Sequence, residues 1–591
     1  MPGAVKAIAL LVVLAGCAAS PPEQAPPPLH KPVDTGGLPP EQLLSRARTA
    51  PADAAAGLYL EAAWAYLDAG DEPGARAAFA DLEPGWLAQA QMPDYELLRT
   101  RLKLADGDLA GARRAFDQVT RVARGSRRAE LVESALCRAE GHYDCALTAL
   151  IRATAGDPSA NEEIWQLLNE ATSLSGLNRP STGEPMPGSD ELIGWRSLHR
   201  ALVTAFSAAD AHKRVTVWLK TNPKHPASLA PPGAVADFAG YHPARQRIGL
   251  LLPLSGQLAR AGEAVRDGFI SAALIAGGLD RLELTIYDTA AEPLPVIYER
   301  ALADRAQMLV GPLQKNTVTE LNGLNPDLPV LVLNYLDAQT IPAAELEQVG
   351  LAIEDEATTI THRLEQDGMA RVLLFHNYED WSVRARRVLV EEANSTGRIH
   401  LTVQPFTDVR TVTEAVGNAM HVAGSRERRD ELAGLLGEQL EFVPRAREDV
   451  DAVVALITNS EANALVPALR FHFAEHLPVY ASSQTTRTAR SGQLAELDGF
   501  HVSELPWFLG SDPVYSAMAA PFNLDRNPYA SLVALGSDAY RLAERIHVGT
   551  AAGSVPLLGS TGLLSPASDG RIRRELAWGV ISGERIRPEG G

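Results

Sequence analysis

The chain has 591 residues, 46% apolar and 21% charged, with 54 Lys and Arg against 73 Asp and Glu for a net charge of −19. That length and apolar fraction suit two or three packed domains and exclude a disordered tail. The acidic balance, with no dense field of Lys and Arg, counts against nucleic acid as a partner.

Residues 1–16 carry one cation, Lys6, then the apolar run 7–14, then Ala15 and Gly16 before Cys17. This is the order of a secretory signal, and the run is shorter than the roughly 20 residues that cross a bilayer. Leu14-Ala15-Gly16-Cys17 resembles the lipobox of bacterial lipoproteins. The resemblance implies cleavage before Cys17, lipidation of Cys17 and a stable anchor. Ala18-Ala19-Ser20 follows, with no Asp after the cysteine. By similarity to enteric lipoproteins, that implies the outer membrane. Residues 17–42, with prolines at 21, 22, 26, 27, 28, 32, 39 and 40, read as an extended tether.

Cys137 and Cys145 remain as an even pair in a compartment that permits disulfides. They are expected either to bridge two helices of one hairpin or to be two buried free thiols. With His142 they supply only three ligands, so no metal site is expected.

Residues 43–220 are rich in helix formers. Gly70-Asp71 is followed by Ala75 and Phe79, Gly107-Asp108 by Ala112 and Phe116, and Gly141-His142 by Ala146 and Leu150. The glycines are 37 and 34 residues apart, close to the tetratricopeptide period of about 34. On this reading glycine permits close helix approach, Ala sits at the contact, and the larger residue lies one turn on. Ordinary Ala-rich packing is the alternative. A solenoid of this kind presents a surface to a partner. Residues 179–190 read as an exposed loop, and 221–246, with Pro223, Pro226, Pro231, Pro232 and Pro243, as a linker.

From residue 247 the period changes. The continuous apolar run 248–252 reads as a strand, which with strands at 282–287, 308–310 and 328–333 forms one series, and 371–375, 450–457 and 478–481 form a second, with helical patterns between them. Two such series predict two doubly wound α/β lobes over 247–591, with any ligand at the carboxyl ends of the strands. The excursion 424–451 carries Arg426, Arg428, Arg429, Arg445 and Arg447 among acidic residues, with Leu432, Leu435, Leu436 and Leu440 on a stripe. It reads as a docking element or as a surface helix with local ion pairs.

The stretch 248–268, Gly311-Pro312-Leu313, Leu497-Asp498-Gly499-Phe500, the segment 534–539 and Gly559-Ser560-Thr561-Gly562-Leu563 resemble landmarks of type I periplasmic binding proteins. Together with the lipobox, the helical repeat and Pro223-Lys224-His225-Pro226, they make the chain similar to the LpoA-type penicillin-binding-protein activators, the LppC family. The resemblance implies a TPR-like helical solenoid followed by a bilobed, periplasmic-binding-protein-like α/β domain. It also implies an outer-membrane lipoprotein that binds a class A penicillin-binding protein, a bifunctional peptidoglycan synthase, and stimulates transpeptidation and synthesis without a cofactor. In amino-acid receptors of this fold the first-lobe loops hold a ligand carboxylate, which makes Ser255, Gly256, Gly311 and Pro312 the candidate cleft. The following Leu313-Gln314-Lys315-Asn316 is bulkier than the usual small hydroxyl residues, and no carboxylate is placed for a ligand ammonium, so a small ligand is doubtful. The alternatives are a lipoprotein solute receptor for an amino acid or muropeptide, and a wall-binding tether.

Enzyme motifs are missing. None of the seven lysines has Ser three residues before it, and no Gly-x-Ser-x-Gly, His-Glu-x-x-His or Walker A sequence occurs. His376 with Glu379 and Asp380 reads as a solvated loop after a strand. No chemistry of its own is expected.

Overall fold

The computed structural model describes residues 38–119, 123–178, 189–405, 409–437, 446–487, 489, 492–510, 512–524 and 527–589. Cys17, Leu440 and Arg445 lie outside the described residues, as does nearly all of the tether. Packing divides the chain into two compact units, Met1–Ala160 and Asn161–Gly591.

In the first unit α1 (Pro40–Thr49) precedes a series of hairpins. These are α2 (Ala52–Asp68) with α3 (Glu72–Ala80), α4 (Met92–Ala105) with α5 (Leu109–Asp117), and α6 (Arg127–Ala139) with α7 (Tyr143–Ala153). Ala75, Ala112 and Ala146 are wholly buried where the paired helices meet. Phe116 and Leu150 join them in the core, while half-buried Phe79 stacks on Tyr95 with centroids 5.4 Å apart.

The repeated glycines have a different role from the one expected. A Cβ on Gly70, Gly107 or Gly141 would meet nothing within 4 Å, so close approach is not the reason for them. Their φ angles are +78°, +73° and +78°, a left-handed turn that a side chain would strain. The following Asp71 and Asp108 cap the next helices, accepting from Gly74 N–H at 2.9 Å and Gly111 N–H at 2.7 Å. The third hairpin replaces Asp and the second Gly by His142 and Cys145. There His142 makes no side-chain cap, and Cys145 is joined to Cys137 of α6 by a disulfide.

The second unit opens with more helices: α8 (Asn161–Glu170), α9 (Leu174–Asn178), α10 (Ser189–Val203), α11 (Ala208–Thr221), α12 (Pro226–Leu229) and α13 (Gly233–Ala239). The stretch expected as a linker therefore carries helices, and Val235 and Phe238 are wholly buried. The division between units falls inside the helical region, and α10 and α11 are bonded to the α/β body, as described below.

The first lobe runs β1 (Gln246–Leu252), α14 (Ala259–Ile275), β2 (Leu282–Asp288), α15 (Leu294–Ala303), β3 (Met308–Val310), α16 (Lys315–Gly323), β4 (Val330–Val332) and β5 (Leu346–Gln348). Its parallel sheet has the order β2-β1-β3-β4-β5. The second lobe runs α17 (Ile353–Gln366), β6 (Arg371–His376), α18 (Asp380–Thr396), β7 (His400–Pro405), α19 (Val412–Ala419), α20 (Val422–Leu436), β8 (Ala452–Leu456), α21 (Asn459–Phe471), β9 (Val479–Ala481), α22 (Ser483–Arg487) and β10 (His501–Glu504). The chain then returns to the first lobe through α23 (Pro513–Met518) and α24 (Ala530–Val548), and forms a small antiparallel sheet of β11 (Leu557–Leu558), β12 (Leu563–Pro566) and β13 (Ile572–Glu575). Finally β14 (Ala577–Ser582) and β15 (Arg585–Pro588) cross back and complete a sheet of order β15-β14-β10-β9-β8-β6-β7. Both lobes carry the doubly wound architecture that the apolar runs predict, covered on both faces.

The first-lobe core centres on α14 against α24. A Cβ on Gly268 would lie 2.0 Å from the Val533 carbonyl oxygen, and one on Gly536 would lie 2.1 Å from that of Val265. Here glycine does serve close helix approach. We expect Gly268→Ala to force the helices apart and destabilise the second unit by about 2–3 kcal/mol, read as a lower midpoint of urea unfolding. Gly323→Ala, whose Cβ meets nothing within 4 Å, should leave the midpoint unchanged or slightly raised.

Candidate functional site

The carboxyl ends of the strands are where this architecture binds ligands, so the site is built from the loops after β1, β2 and β3 and after β6, β8 and β9. In the first lobe Ser255 and Gly256 are exposed just beyond β1. The neighbouring backbone donors are already occupied: Asp288, ending β2, accepts from Leu254 N–H at 2.9 Å and Ala290 N–H at 3.0 Å. Burial works to raise its carboxyl, but these donors and those of Ser255 hold it below the usual carboxylate range.

Gly311 and Pro312 are buried at the end of β3. Gly311 has a φ of +97°, and a Cβ there would lie 2.1 Å from the Leu251 carbonyl oxygen, so the backbone alone requires glycine. Beyond them Asn334 donates to the Leu313 carbonyl at 3.0 Å, and Lys315 pairs with Asp337 at 2.7 Å. The four candidate residues thus lie around one strand-end region whose polar groups bond to each other.

The second lobe repeats the pattern. Thr458 and Glu461 form a capping box at the start of α21. One oxygen of Glu461 accepts from Thr458 N–H, Thr458 Oγ1 and Asn377 Nδ2, each at 2.8 Å. At the start of α22 the Glu356 carboxylate takes the Ser483 N–H at 2.9 Å and its hydroxyl at 2.8 Å. The starts of α21 and α22 are thus met by the chain's own carboxylates, while α14, α16 and α18 carry no side-chain cap. His376 is buried, not solvated as the sequence implied. Its Nδ1 lies 2.8 Å from the Asn377 carbonyl, and burial lowers its pKa and keeps it neutral.

Sequence reasoning missed Asp288, Glu356, Glu461 and Glu504. Thr458-x-x-Glu461 carries a local signal as a capping box; Asp288 and Glu504 also bond the nearby Ala290 and Leu505 N–H, while Asp288 with Leu254 and Glu356 with Ser483 join residues far apart in the chain. No group of three or more His, Cys, Asp or Glu side chains among the described residues is placed to hold a metal. No helix among them is long and apolar enough to cross a membrane.

The Arg-rich excursion forms α20. Arg426 lies on this helix, Arg428 is exposed, Arg429 pairs with the adjacent Asp430 at 2.9 Å, and Arg447 pairs with Asp449 at 2.7 Å. Leu435 and Leu436 stand open at 84% and 62% of full exposure, and Leu432 is also exposed.

The profile of the family described as LppC putative lipoprotein matches residues 35–581. The chain belongs to this family. Its relatives include proteins named penicillin-binding protein activator LpoA from Vibrio cholerae, 27% identical over 71% of this chain and 70% of that protein, and from Dickeya chrysanthemi, 26% identical over 96% and 95%. In solved structures it is similar to full-length LpoA from Haemophilus influenzae, with a TM-score of 0.56, 20% identity, and coverage of 93% of this chain and 98% of that one. That likeness shows the fold.

Two stretches used above to recognise the LppC family meet in space. Asp538 of α24, wholly buried, accepts from Ser560 N–H at 2.6 Å, Thr561 N–H at 2.8 Å and Thr561 Oγ1 at 2.7 Å. A Cβ on Gly559 would collide with that carboxylate. In this LppC chain the landmark is therefore an internal anchor.

Glu504, at the end of β10, is 3% exposed and accepts from Leu505 N–H and Thr486 Oγ1, each at 2.9 Å. Burial, opposed by the Arg487 charge, pushes its pKa from 4.5 up to about 7. The folded chain therefore holds this proton more tightly than the unfolded chain. The resulting stability is full below about 4.5 and is lost as pH rises through about 7. Glu504→Gln should remove that loss. In urea unfolding at pH 4.5 and pH 8, the variant should gain on the order of 3 kcal/mol relative to the parent at the higher pH.

Proposed function

We propose that this chain is an outer-membrane lipoprotein that binds and activates a class A penicillin-binding protein, stimulating its transpeptidation and peptidoglycan synthesis, and carries out no chemistry itself. The observation that carries the reading is the strand-end cleft, where Asp288, Glu356 and Glu461 take backbone donors of Leu254, Ser483 and Thr458. A solute receptor is correspondingly not favoured. Membership of the LppC family and relatives named as activators support the same reading.

Activation must be differential: the lipoprotein binds the active conformation of the synthase better than the resting one. Cys17 is the lipidation site in this reading, and the proline-rich segment after it sets the reach. The contact face we assign is α20, where Leu435 and Leu436 are open beside Arg428. Apolar anchors next to Arg are favoured at protein interfaces.

The purified mature chain should form a complex with its class A synthase and raise the rate of peptide cross-linking. No complex together with an unchanged rate overturns the reading. Leu435→Glu with Leu436→Glu, on side chains already in water, should leave the fold intact and weaken the complex about tenfold or more. Cys17→Ser should leave purified activity unchanged but abolish activity in cells.

A further inference from the structure

A cavity of about 570 Å³ lies in the second unit. Its wall takes residues from both lobes and from their connections: α17 of the second lobe, α24 of the first, the crossover before α23, and the junction of β13 with β14. A cavity of this size suits a small organic ligand. Part of its surface is apolar, with Phe206, Leu558 and Trp578 among the lining residues.

The charges on this wall are nearly all matched. Arg214 is held by Asp210 at 2.8 Å and by the Thr204 hydroxyl at 2.9 Å. Arg363 is held by Asp367 at 2.7 Å and Glu589 at 2.5 Å, and Arg541 donates to the Leu558 carbonyl at 2.7 Å. Asp512 accepts from Val514 N–H at 2.7 Å and the Ser560 hydroxyl at 2.6 Å. Glu575, ending β13, differs. Its one hydrogen bond is from Leu174 N–H at 3.2 Å, and among the described residues no cation acts on it. Burial raises its pKa to about 7, as expected of a carboxyl that water solvates poorly and no positive charge stabilises.

We propose that this cavity binds an amphipathic organic cation, a primary amine or guanidine on an apolar body, whose charge pairs with Glu575 while the body packs against Phe206 and Trp578. The ligand's cation matches Glu575, for which the described residues supply no ion pair. Because the wall draws on both lobes, an occupant also ties them together. This site is separate from the strand-end cleft and from the partner-binding face, and it stands or falls independently of the activator reading.

The test is calorimetric titration of the full mature chain at pH 8 with 4-phenylbutylamine, 4-phenylbutanol and 4-phenylbutyrate. The amine should bind saturably, and the alcohol and the acid about tenfold more weakly or worse. The amine stays protonated up to about pH 10, so its affinity should follow ionisation of Glu575 and fall about tenfold from pH 8 to pH 6. His362, Arg363, Arg214, Arg541, Asp512 and Glu589 also face the cavity; His362→Gln should keep the same pH profile if Glu575 controls it. Glu575→Gln, which keeps an acceptor for Leu174, should lose both the preference for the amine and the pH dependence. Binding should alter Trp578 fluorescence, and Trp578→Phe should remove that change while the calorimetric heat persists. Equal affinity for amine and alcohol, an unchanged constant in a folded Glu575→Gln chain, or no heat up to about millimolar amine overturns the proposal.

Discussion

Buried charge in this protein is held by backbone groups, and the second unit is organised around that constraint. On α24, Asp538, Arg541, Glu544 and Arg545 are all at most 5% exposed. An ion so buried is strongly destabilising unless its hydrogen-bonding capacity is met. Arg545 meets it with the carbonyls of Leu202 at 2.5 Å, Pro556 at 3.0 Å and Val555 at 3.2 Å. Burial still lowers its pKa to about 9. Arg541 reaches the Phe206 carbonyl at 3.2 Å, and Glu544 accepts from Ala208 N–H at 3.2 Å. These bonds run to the end of α10, the start of α11 and the connection between them. They tie α10 and α11 to α24 within the second unit, which runs from Asn161 to Gly591.

The same rule describes the cleft. A doubly wound lobe exposes unbonded N–H groups where its strands end and its helices begin. A receptor leaves them for its ligand. Here Asp288, Glu356 and Glu461 take several of them. The pKa of Glu504, nearby and buried, is pushed up to about 7 by burial in spite of the Arg487 charge and the Leu505 N–H, which marks the limit of how far such partners can stabilise a buried carboxylate.

The sequence carries the architecture clearly because periodicity is local. The apolar runs that became β1, β3, β6, β8 and β9 are largely continuous, as buried parallel strands must be, whereas β2 alternates with Glu283 and Thr285 and is only partly buried. Short or polar strands such as β5, β13 and β15 give no such signal; their residues are ordered by partners far along the chain. The glycines at 70, 107 and 141 were legible as a repeat, yet their cause, a left-handed φ and not helix contact, is a property of the backbone that spacing does not reveal. The site was less legible still. Ser255, Gly256, Gly311 and Pro312 could be placed at strand ends, but the carboxylates that satisfy this region come from β2, α17 and α21. Nothing in the sequence pairs Glu356 with Ser483 across 127 positions.

A cleft filled by its own side chains bears on how an activator of this kind would work. A protein that must shift a partner's equilibrium does so only through the difference in its affinity for the partner's two states. Any reordering of the activator on binding reduces the affinity available for that difference. A receptor that closes on solute carries such reordering by design. Asp288, Glu356 and Glu461 bond several strand-end donors internally, and Arg541, Glu544 and Arg545 join α10, α11 and their connection to α24, so these contacts are made before any partner arrives. On the activator reading proposed above, contacts already made within the second unit lower the reordering that binding would cost.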